Sequence, residues 1–354
     1  MMEITITKNP NPKQKPDENK LGFGNYFTDH MFVMEYQEEK GWHDPKIMPY
    51  GPLSLQPSAM VLHYGQETFE GLKAYKTPKG DIQLFRVEEN VKRLNVSNER
   101  VCIPPIDPEM MLEGIKAIVR HEKDWVPSAE GTSLYIRPFV IATDPFLGVR
   151  PAKQYQFIVI LSPVGSYYKE GLNPTKIYVE DKYVRAVPGG MGFAKTGGNY
   201  AASLKAQVEA NQKGYSQVLW LDGKERKYIE EVGTSNAFFK IEGKIVTAPL
   251  EGSILSGITR NSSIALLKKW GYDVVERKIA IDELKELHEQ GKVEEAFATG
   301  TAAVISPIGA LGYKGQDMII NNQEIGEVSK RLYDAITGIQ KGTMEDEFGW
   351  TTLV

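Results

Sequence analysis

The stretch Pro188-Gly-Gly-Met-Gly-Phe-Ala-Lys-Thr-Gly-Gly-Asn199 is the most informative part of this sequence for fold and function. Five of the ten residues 189–198 are glycines, which let a backbone approach a bound ligand closely. A single lysine, Lys195, stands among small and apolar neighbours. A dehydrated lysine amine is a good nucleophile at neutral pH, as a Schiff-base lysine must be. On residue chemistry alone, an ordinary surface lysine is an open alternative.

The same segment also comes close to a phosphate-binding loop. Residues 189–196 nearly match the pattern GxxxxGK[ST], but Ala194 occupies the position of the second glycine. We also expect the following helix to begin only near Tyr200, about four residues later than such a loop requires. A P-loop nucleotide-binding protein is therefore an unfavoured alternative.

The composition is that of a globular protein. The chain has 354 residues, of which 41% are hydrophobic and 25% are charged, and at about 150 residues per domain it should form roughly two domains. The net charge of −4 offers no basic excess for binding nucleic acid. The sole cysteine, Cys102, excludes an intramolecular disulfide and a CxxC metal site. The five histidines lack metal-binding spacing, and no GxSxG segment indicates a serine hydrolase.

Helix and strand patterns alternate along the chain and predict an α/β or α+β fold. We predict a flexible arm at 1–20, a small α/β domain at 21–162, an interdomain linker at 163–175 and a large domain at 176–354. The longest aliphatic run, Phe157–Leu161, is too short to cross a bilayer. Because the opening residues also lack a signal-peptide pattern, we expect a cytoplasmic protein without membrane contact.

Two predicted strands carry polar side chains that could bind a ligand. On the strand predicted over Thr132–Ala142, Tyr135 and Arg137 share one face and could grip a carboxylate, although a structural ion pair of Arg137 is equally open. Glu231 ends a short strand just before a glycine turn. Its carboxylate could bind a protonated ring nitrogen, and a solvated strand end is the ordinary alternative.

Two predicted helices carry candidate ligand-binding residues, but the sequence supports them less strongly than it supports the strand residues. Arg93 lies roughly 100° from the apolar stripe of the helix predicted over 87–101, which on residue chemistry alone is typical of a solvated arginine. Residues 253–260 lead into a helix whose free N–H groups, with the Thr259 hydroxyl, could hold a phosphate. An ordinary capped helix is the alternative.

Taken together and in chain order, these segments resemble one family, the branched-chain amino-acid aminotransferases of the pyridoxal-phosphate (PLP) fold-type IV group. Any one segment is weak, but eight in the same order leave little room for chance. The matching segments are Phe23-Gly24, His63-Tyr64 with Phe69-Glu-Gly71, Leu84-Phe-Arg86 through Arg93, Gly131–Pro138, Lys195 with Gly197–Tyr200, Glu231–Thr234, Gly257–Arg260 and Gly300–Ala302.

The resemblance implies a two-domain fold-type IV enzyme, with a smaller N-terminal α/β domain, a larger C-terminal pseudo-barrel domain and PLP at their interface. It implies a homodimer that transfers the amino group of L-leucine, L-isoleucine or L-valine to 2-oxoglutarate by a reversible ping-pong reaction. A D-amino-acid aminotransferase or an aminodeoxychorismate lyase of the same fold is the alternative. Some relatives carry a redox-active CxxC where this chain has Ala303 and Ser306, so we predict no thiol switch there.

The resemblance also implies a role for each candidate residue. Lys195 would form a Schiff base with PLP and move a proton between the substrate Cα and the cofactor C4′. Tyr200 would contact the phenolate oxygen, and Glu231 would pair with the pyridine nitrogen. The residues implied to hold the phosphate are Arg93, Ile258, Thr259 and Thr301. Those implied to bind the substrate are Phe23, Tyr64, Tyr135, Arg137, Val149 (reaching the neighbouring subunit's site), Thr234, Thr301 and Ala302.

Overall fold

The computed structural model of the chain describes residues 3–165 and 172–354, which divide into two compact units. The first, called the N-terminal unit, contains residues 3–165, 194–197 and 338–354. The second, called the barrel unit, contains residues 172–193 and 198–337. Strands and helices are numbered along the chain.

The N-terminal unit is built on one sheet, which has nine strands within the described residues. They are β1 (Thr5–Ile6), β2 (His30–Gln37), β3 (Gly41–Pro49), β4 (Glu67–Phe69), β5 (Leu72–Lys76), β6 (Ile82–Phe85), β7 (Ser133–Ala142), β8 (Gln154–Val164) and, near the C-terminus, β18 (Thr351–Leu353). The order is β1-β3-β2-β8-β7-β5-β6-β18, with β4 also paired to β7. The β1–β3 pair is parallel, and the other neighbours are antiparallel.

Helices α2 and α3 share the main core of this unit with the sheet. The helices of the unit are α1 (Val61–Tyr64), α2 (Val87–Arg100) and α3 (Pro108–His121). The Asp107 carboxylate accepts hydrogen bonds from two backbone N–H groups in the first turn of α3, and Pro108 occupies the first helical position. A Cβ on Gly114 would lie 2.8 Å from the Phe32 ring, so α3 approaches β2 closely.

The barrel unit contains a closed ring of six strands. These are β9 (Thr175–Glu180), β10 (Gln217–Leu221), β11 (Ile229–Val232), β12 (Ser235–Ile241), β15 (Val293–Gly300) and β16 (Val304–Tyr313). They run in the order β11-β10-β9-β16-β15-β12, and β12 pairs back with β11 to close the ring. The sheet continues outside the ring through β13 (Lys244–Thr247), β14 (Val274–Glu276) and β17 (Gln316–Ile319).

Side chains fill the barrel, as a ring of this size requires. Its core includes Ile177, Leu219, Phe239, Ala296 and Leu311, each of which is almost fully buried. The remaining helices are α4 (Gly197–Gln212), α5 (Ile258–Lys269), α6 (Ile281–Glu289) and α7 (Glu327–Lys341). None of the described helices is both long and apolar enough to cross a membrane.

The predicted fold class is confirmed, although two predicted elements have different bounds. Helix α4 begins at Gly197. The low helix propensity of Gly197 and Gly198 is the reason that the sequence predicts a later start, near Tyr200. The early start of α4 removes one of the arguments against a phosphate-binding loop. The sequence pattern also predicts a strand over Asp273–Ala280, but β14 ends at Glu276 because its partner strand β13 ends at Thr247.

The unit boundaries differ from the predicted domain boundaries at the C-terminus. Residues 338–354 belong to the N-terminal unit, because β18 pairs with β6 and the Gln83 amide donates to the carbonyls of Ile339 and Gln340. Of the predicted linker at 163–175, residues 163–164 lie in β8, Thr175 lies in β9, and residues 166–171 lie outside the described residues.

The predicted N-terminal arm at 1–20 also carries local structure. It contains β1 and a short 3-10 turn, Glu18–Lys20. Lys13 N–H donates to the Asp29 carboxylate at 2.8 Å, and Ile4 packs against the main core of the N-terminal unit. The overall polar composition of residues 1–20 predicts a flexible arm, whereas the apolar residue Ile4 is what connects the arm to the core.

Candidate functional site

The backbone of Lys195 is held on both sides within the N-terminal unit. Its N–H donates to the Ser97 hydroxyl at 2.8 Å, and its carbonyl accepts from the N–H of Phe69 at 3.0 Å. The amine lies 4.9 Å from the centroid of the Phe69 ring. The glycine-rich segment therefore presents Lys195 in a defined position beside α2 and β4, in a loop where the residue is partly buried.

The Phe69 ring also meets a second cation, which brings the predicted substrate residues together with Lys195. The Arg137 guanidinium lies 4.8 Å from the Phe69 centroid and donates to the Tyr135 hydroxyl at 3.0 Å. The edge of the Phe23 ring packs on Tyr135, with ring centroids 5.0 Å apart. Tyr135 and Arg137, which are predicted to share a strand face, therefore form a hydrogen-bonded pair. The aromatic rings around this pair suit apolar substrate side chains.

Glu70 is a buried carboxylate that the sequence analysis did not select. Both of its oxygens accept from Arg93, from Nε at 2.7 Å and from Nη2 at 2.8 Å. Burial alone would raise the pKa of Glu70, but the cations of Arg93 and Lys195 and the Asn90 amide outweigh it and hold that pKa below its usual value. Arg93 is therefore a partly buried, bidentate partner of a carboxylate, and its interpretation as a solvated arginine is wrong.

Glu67 is a second acidic residue that sequence reasoning missed. Its carboxylate accepts from the N–H of Gly197, two residues after Lys195. A Cβ on Gly197 would lie 2.3 Å from Glu67 Oε1, so a side chain there would collide with this contact. Burial raises the pKa of Glu67, although the Gly197 N–H and Arg137 oppose the shift. The sequence could have indicated Glu67 through its spacing, since residues two apart on a strand share one face and Glu67 is two residues from Phe69.

In the barrel unit, Glu231 is buried and held from two sides. Arg185 Nε lies 2.6 Å from Glu231 Oε2, and the Asn236 amide donates to Glu231 Oε1 at 3.1 Å. The Arg185 guanidinium therefore balances the negative charge of the buried carboxylate. Neither Arg185 nor Asn236 was selected from the sequence, because nothing about their spacing distinguishes them from ordinary surface residues.

Glu231 also lines a small recess together with two other predicted residues, Tyr200 and Thr234. Arg185 and Leu255 complete one side of this recess. The structure therefore brings Tyr200, Glu231 and Thr234 together, as the family resemblance implies.

Asn236 links Glu231 to the start of α5. Its amide donates to the carbonyl of Leu255 at 2.9 Å as well as to Glu231. Gly257 is the N-cap of α5 and has no side chain to cap the helix. The backbone N–H groups of the first turn can therefore donate to an anion. A Cβ on Gly257 would lie 2.0 Å from Asn236 Oδ1, which explains why a glycine is needed there. Thr259 follows and is 5% exposed.

The turn between β15 and β16 contains Thr301 and Ala302, both partly buried. A Cβ on the preceding Gly300 would lie 2.7 Å from the Ser235 hydroxyl, so the turn packs closely on β12. The hydroxyl of Thr299 is buried without a hydrogen-bond partner among the described residues.

Tyr64 and Val149 are exposed in this chain. The Tyr64 hydroxyl donates to the carbonyl of Leu147, and Val149 is 84% exposed. Phe146 and Leu147 are exposed as well, so residues 146–149 present an apolar loop. The substrate roles of Tyr64 and Val149 remain predictions.

One group in the described residues has the composition of a metal site, His30, His121 and Glu122, although sequence spacing indicated none. Both ring nitrogens of His30 already have partners: Nε2 accepts from the N–H of Asn9, and Nδ1 faces the Glu122 carboxylate. His121 meets His30 through a ring contact, with centroids 4.4 Å apart in a T-shaped arrangement.

Comparisons with known proteins identify the family. The family model described as amino-transferase class IV matches residues 67–311. The branched-chain-amino-acid aminotransferase 2 of Bacillus subtilis (strain 168) is 64% identical over 353 residues, which cover 100% of this chain and 96% of the relative.

Solved structures give the same result for the fold. The branched-chain amino acid aminotransferase of Escherichia coli aligns with a TM-score of 0.77 at 28% identity, covering 91% of this chain and 98% of that one. The T.th. branched-chain amino acid aminotransferase, solved with pyridoxamine 5′-phosphate, aligns with a TM-score of 0.74 at 29% identity, covering 90% of this chain and 97% of that one.

Proposed function

This chain belongs to the class IV aminotransferase family, and on that premise we propose how its residues carry out amino-group transfer. It is a branched-chain amino-acid aminotransferase, which transfers the amino group of L-leucine, L-isoleucine or L-valine reversibly to 2-oxoglutarate. Its cofactor is PLP. The observation that carries the residue assignment is the anchored position of Lys195, with its amine over the Phe69 ring.

The residues present fit PLP. The buried Glu231 carboxylate, flanked by Arg185 and Asn236, matches a protonated pyridine nitrogen. The uncapped first turn of α5 and the Thr259 hydroxyl match a phosphate. When bound, PLP supplies an aldehyde for the amine to react with and a protonated ring that takes up electron density from the substrate Cα.

Lys195 acts as nucleophile and as proton carrier. Its amine would be the group that holds the cofactor covalently. As a free amine it would move a proton between the substrate Cα and the cofactor C4′. The hydrogen bonds of its backbone to Ser97 and Phe69 limit where the amine can reach.

Glu231 would pair with the protonated pyridine nitrogen. Arg185, 2.6 Å from its Oε2, would hold the carboxylate in place for that contact. Tyr200, which shares the recess with Glu231, would donate to the phenolate oxygen. The N–H groups of Ile258 and Thr259, the hydroxyl of Thr301 and the positive charge of Arg93 would hold the phosphate.

The cluster around Phe69 binds the substrate. Arg137 and Tyr135 receive the distal carboxylate of glutamate or 2-oxoglutarate, while the Phe23 ring offers an apolar surface for leucine, isoleucine and valine. The N–H groups at Thr301 and Ala302 take the α-carboxylate. Tyr64, Thr234 and a partner's Val149 complete the pocket.

A homodimer is the second part of the proposal. The exposed apolar loop 146–149 supports it, because an apolar segment of this kind is usually covered in an assembly. Sedimentation equilibrium of the purified protein tests the dimer. A cytoplasmic location is proposed from the sequence alone, and cell fractionation tests it.

The test of function is a substrate panel on the PLP-loaded enzyme. We expect amino transfer from L-leucine, L-isoleucine and L-valine to 2-oxoglutarate, and none from D-alanine or aminodeoxychorismate. Discrimination among the three L-amino acids should be modest, since one buried methylene is worth about 0.8 kcal/mol. Turnover of D-alanine or aminodeoxychorismate in preference to L-leucine would contradict the assignment.

A further inference from the structure

A second cavity lies in the barrel unit, next to the strand that carries Glu231. It has a volume of about 280 Å³, a little below the range of roughly 300–1,000 Å³ usual for ligand pockets. Glu230 lines this cavity and Glu231 lines the recess described above. Neighbouring residues of a strand face opposite sides, so β11 separates the two sites.

Glu230 has an unmet hydrogen-bonding requirement. The residue is 7% exposed, and its Oε1 accepts from the Ser253 hydroxyl. Among the described residues, its Oε2 has no hydrogen-bond partner. A buried carboxyl oxygen without a donor is unfavourable unless a bound molecule supplies one.

The charges around the cavity favour a cation as that molecule. Acidic residues that line it are Asp222, Glu225, Glu230 and Glu251, against two basic residues, Lys224 and Lys278. Lys278 is already paired with Glu251 at 2.6 Å, and Asp222 is already satisfied by backbone N–H groups. The acceptor that still lacks a donor is therefore Oε2 of Glu230, and a cation that carries an N–H would supply that donor.

The rest of the lining suits an organic cation of small size. The ring of Tyr228 lines the cavity and has two lysine amines near it, Lys227 at 5.3 Å and Lys278 at 5.7 Å from the centroid. Aromatic rings bind cations of this kind on their faces. Ile229 and Ile254 supply aliphatic wall.

We propose that this cavity is a binding site for a small organic cation that donates an N–H to Oε2 of Glu230 and packs its apolar groups against Tyr228 and the aliphatic wall. Binding in this cavity takes place on the far side of β11 and does not involve the aminotransferase reaction. Its loss would therefore leave the roles of Lys195 and Glu231 unaffected.

The test is calorimetric titration of the PLP-loaded enzyme with trimethylammonium chloride. This probe carries one N–H and no primary amine, so it cannot condense with PLP. Glu230→Gln removes the charge at nearly constant shape, and Glu225→Gln is the matched control on the same cavity. We expect Glu230→Gln to weaken binding by about tenfold or more, the loss typical of a charge-assisted hydrogen bond, and Glu225→Gln by much less.

A second comparison uses the unaltered enzyme, so it stands even if Glu230→Gln folds poorly. Neutral tert-butyl alcohol and the anion trimethylacetate also carry three methyl groups on one central atom, and both should bind more weakly than trimethylammonium. Equal binding of trimethylammonium to the enzyme and to Glu230→Gln would overturn the proposal. Equal affinity for trimethylammonium and for tert-butyl alcohol, or no detectable binding of trimethylammonium, would overturn the proposal as well.

Discussion

Arg185 Nε lies 2.6 Å from Glu231 Oε2, and each side chain is less than one-tenth exposed. Arg185 also donates through Nη2 to the carbonyl of Gly192, within the glycine-rich segment. A single guanidinium therefore joins the carboxylate assigned to the pyridine nitrogen with the segment that leads to Lys195. Because buried ions depend on their partners, this pair should be sensitive to loss of either member.

Replacing Arg185 tests that dependence. Arg185→Gln leaves the Glu231 carboxylate without its cation, so it should take up the ring proton itself. We expect kcat/KM for L-leucine to fall by about 100-fold or more, which is the rate equivalent of an uncompensated buried charge. Arg277→Gln, in an exposed pair with Glu283, is the control and should have little effect. Similar kinetics for the two variants would contradict the role of Arg185.

The Glu70–Arg93 pair should make the stability of the protein depend on pH. The pKa of Glu70 lies below its usual value of 4.5 because Arg93 and Lys195 oppose the effect of burial. A carboxyl group with a lowered pKa stabilises the fold above its unfolded pKa, and that contribution is lost as pH falls through the folded pKa. The Tm of the wild type should therefore exceed that of Glu70→Gln above pH 4.5, and the difference should shrink in more acidic solution.

Glu67→Gln is the matched control for this experiment, since burial shifts the pKa of Glu67 in the opposite direction. A raised carboxyl pKa costs stability at neutral pH, so Glu67→Gln should lower the Tm less than Glu70→Gln at about pH 7. A Tm difference between wild type and Glu70→Gln that stays constant from neutral to acidic pH would refute the assigned ion pair.

Gly257 should be needed for its small size and not for its backbone angles. Its φ is −69°, which any residue can adopt, but an added Cβ would lie 2.0 Å from Asn236 Oδ1. Gly257→Ala should displace Asn236 from Glu231 and weaken PLP binding by about tenfold. Gly51→Ala, where a Cβ meets nothing within 4 Å, should bind PLP normally. Fluorescence titration with PLP measures both, and normal affinity in Gly257→Ala would separate Asn236 from the cofactor site.

Arg137 should matter more for the dicarboxylic substrate than for the aliphatic ones. Arg137→Gln removes the cation that, with Tyr135, is placed to meet a distal carboxylate. We expect KM for 2-oxoglutarate to rise about tenfold while KM for L-leucine changes little. Arg120→Gln, exposed on α3, controls for loss of charge. An equal rise for both substrates would mean that Arg137 does not distinguish them.

Sequence reasoning predicted the elements with strong periodicity. The apolar spacing predicts a helix over residues 87–101, and α2 ends at Arg100, one residue earlier. Pro108 in the same way predicts the start of α3, which begins at that residue. The start of α4 is harder to predict, because the N–H of Gly197 is held by a contact with Glu67, which is distant in the chain. The return of residues 338–354 to the N-terminal unit depends on pairing between β18 and β6, which are distant in the chain.

Residues of the candidate site also differ in whether local sequence or a long-range partner reveals them. Lys195, Tyr135 and Arg137 could be found from local chemistry, since a lysine among glycines and an arginine between aromatics are unusual patterns. Glu70 and Arg185 could not, because each derives its importance from one long-range partner. The central roles of Glu231 and Arg93 came from the family resemblance, while their buried ion pairs came from the structure.

The most direct test of the role of Lys195 is the visible absorption spectrum of the PLP-loaded enzyme before and after addition of L-leucine, alongside Lys195→Ala. We predict a yellow cofactor band in the wild type that fades as the pyridoxamine form accumulates. We also predict that Lys195→Ala folds, binds PLP without that lysine linkage and loses turnover by at least about 10³-fold. A wild-type band unmoved by L-leucine, or full turnover in Lys195→Ala, would contradict the central claim.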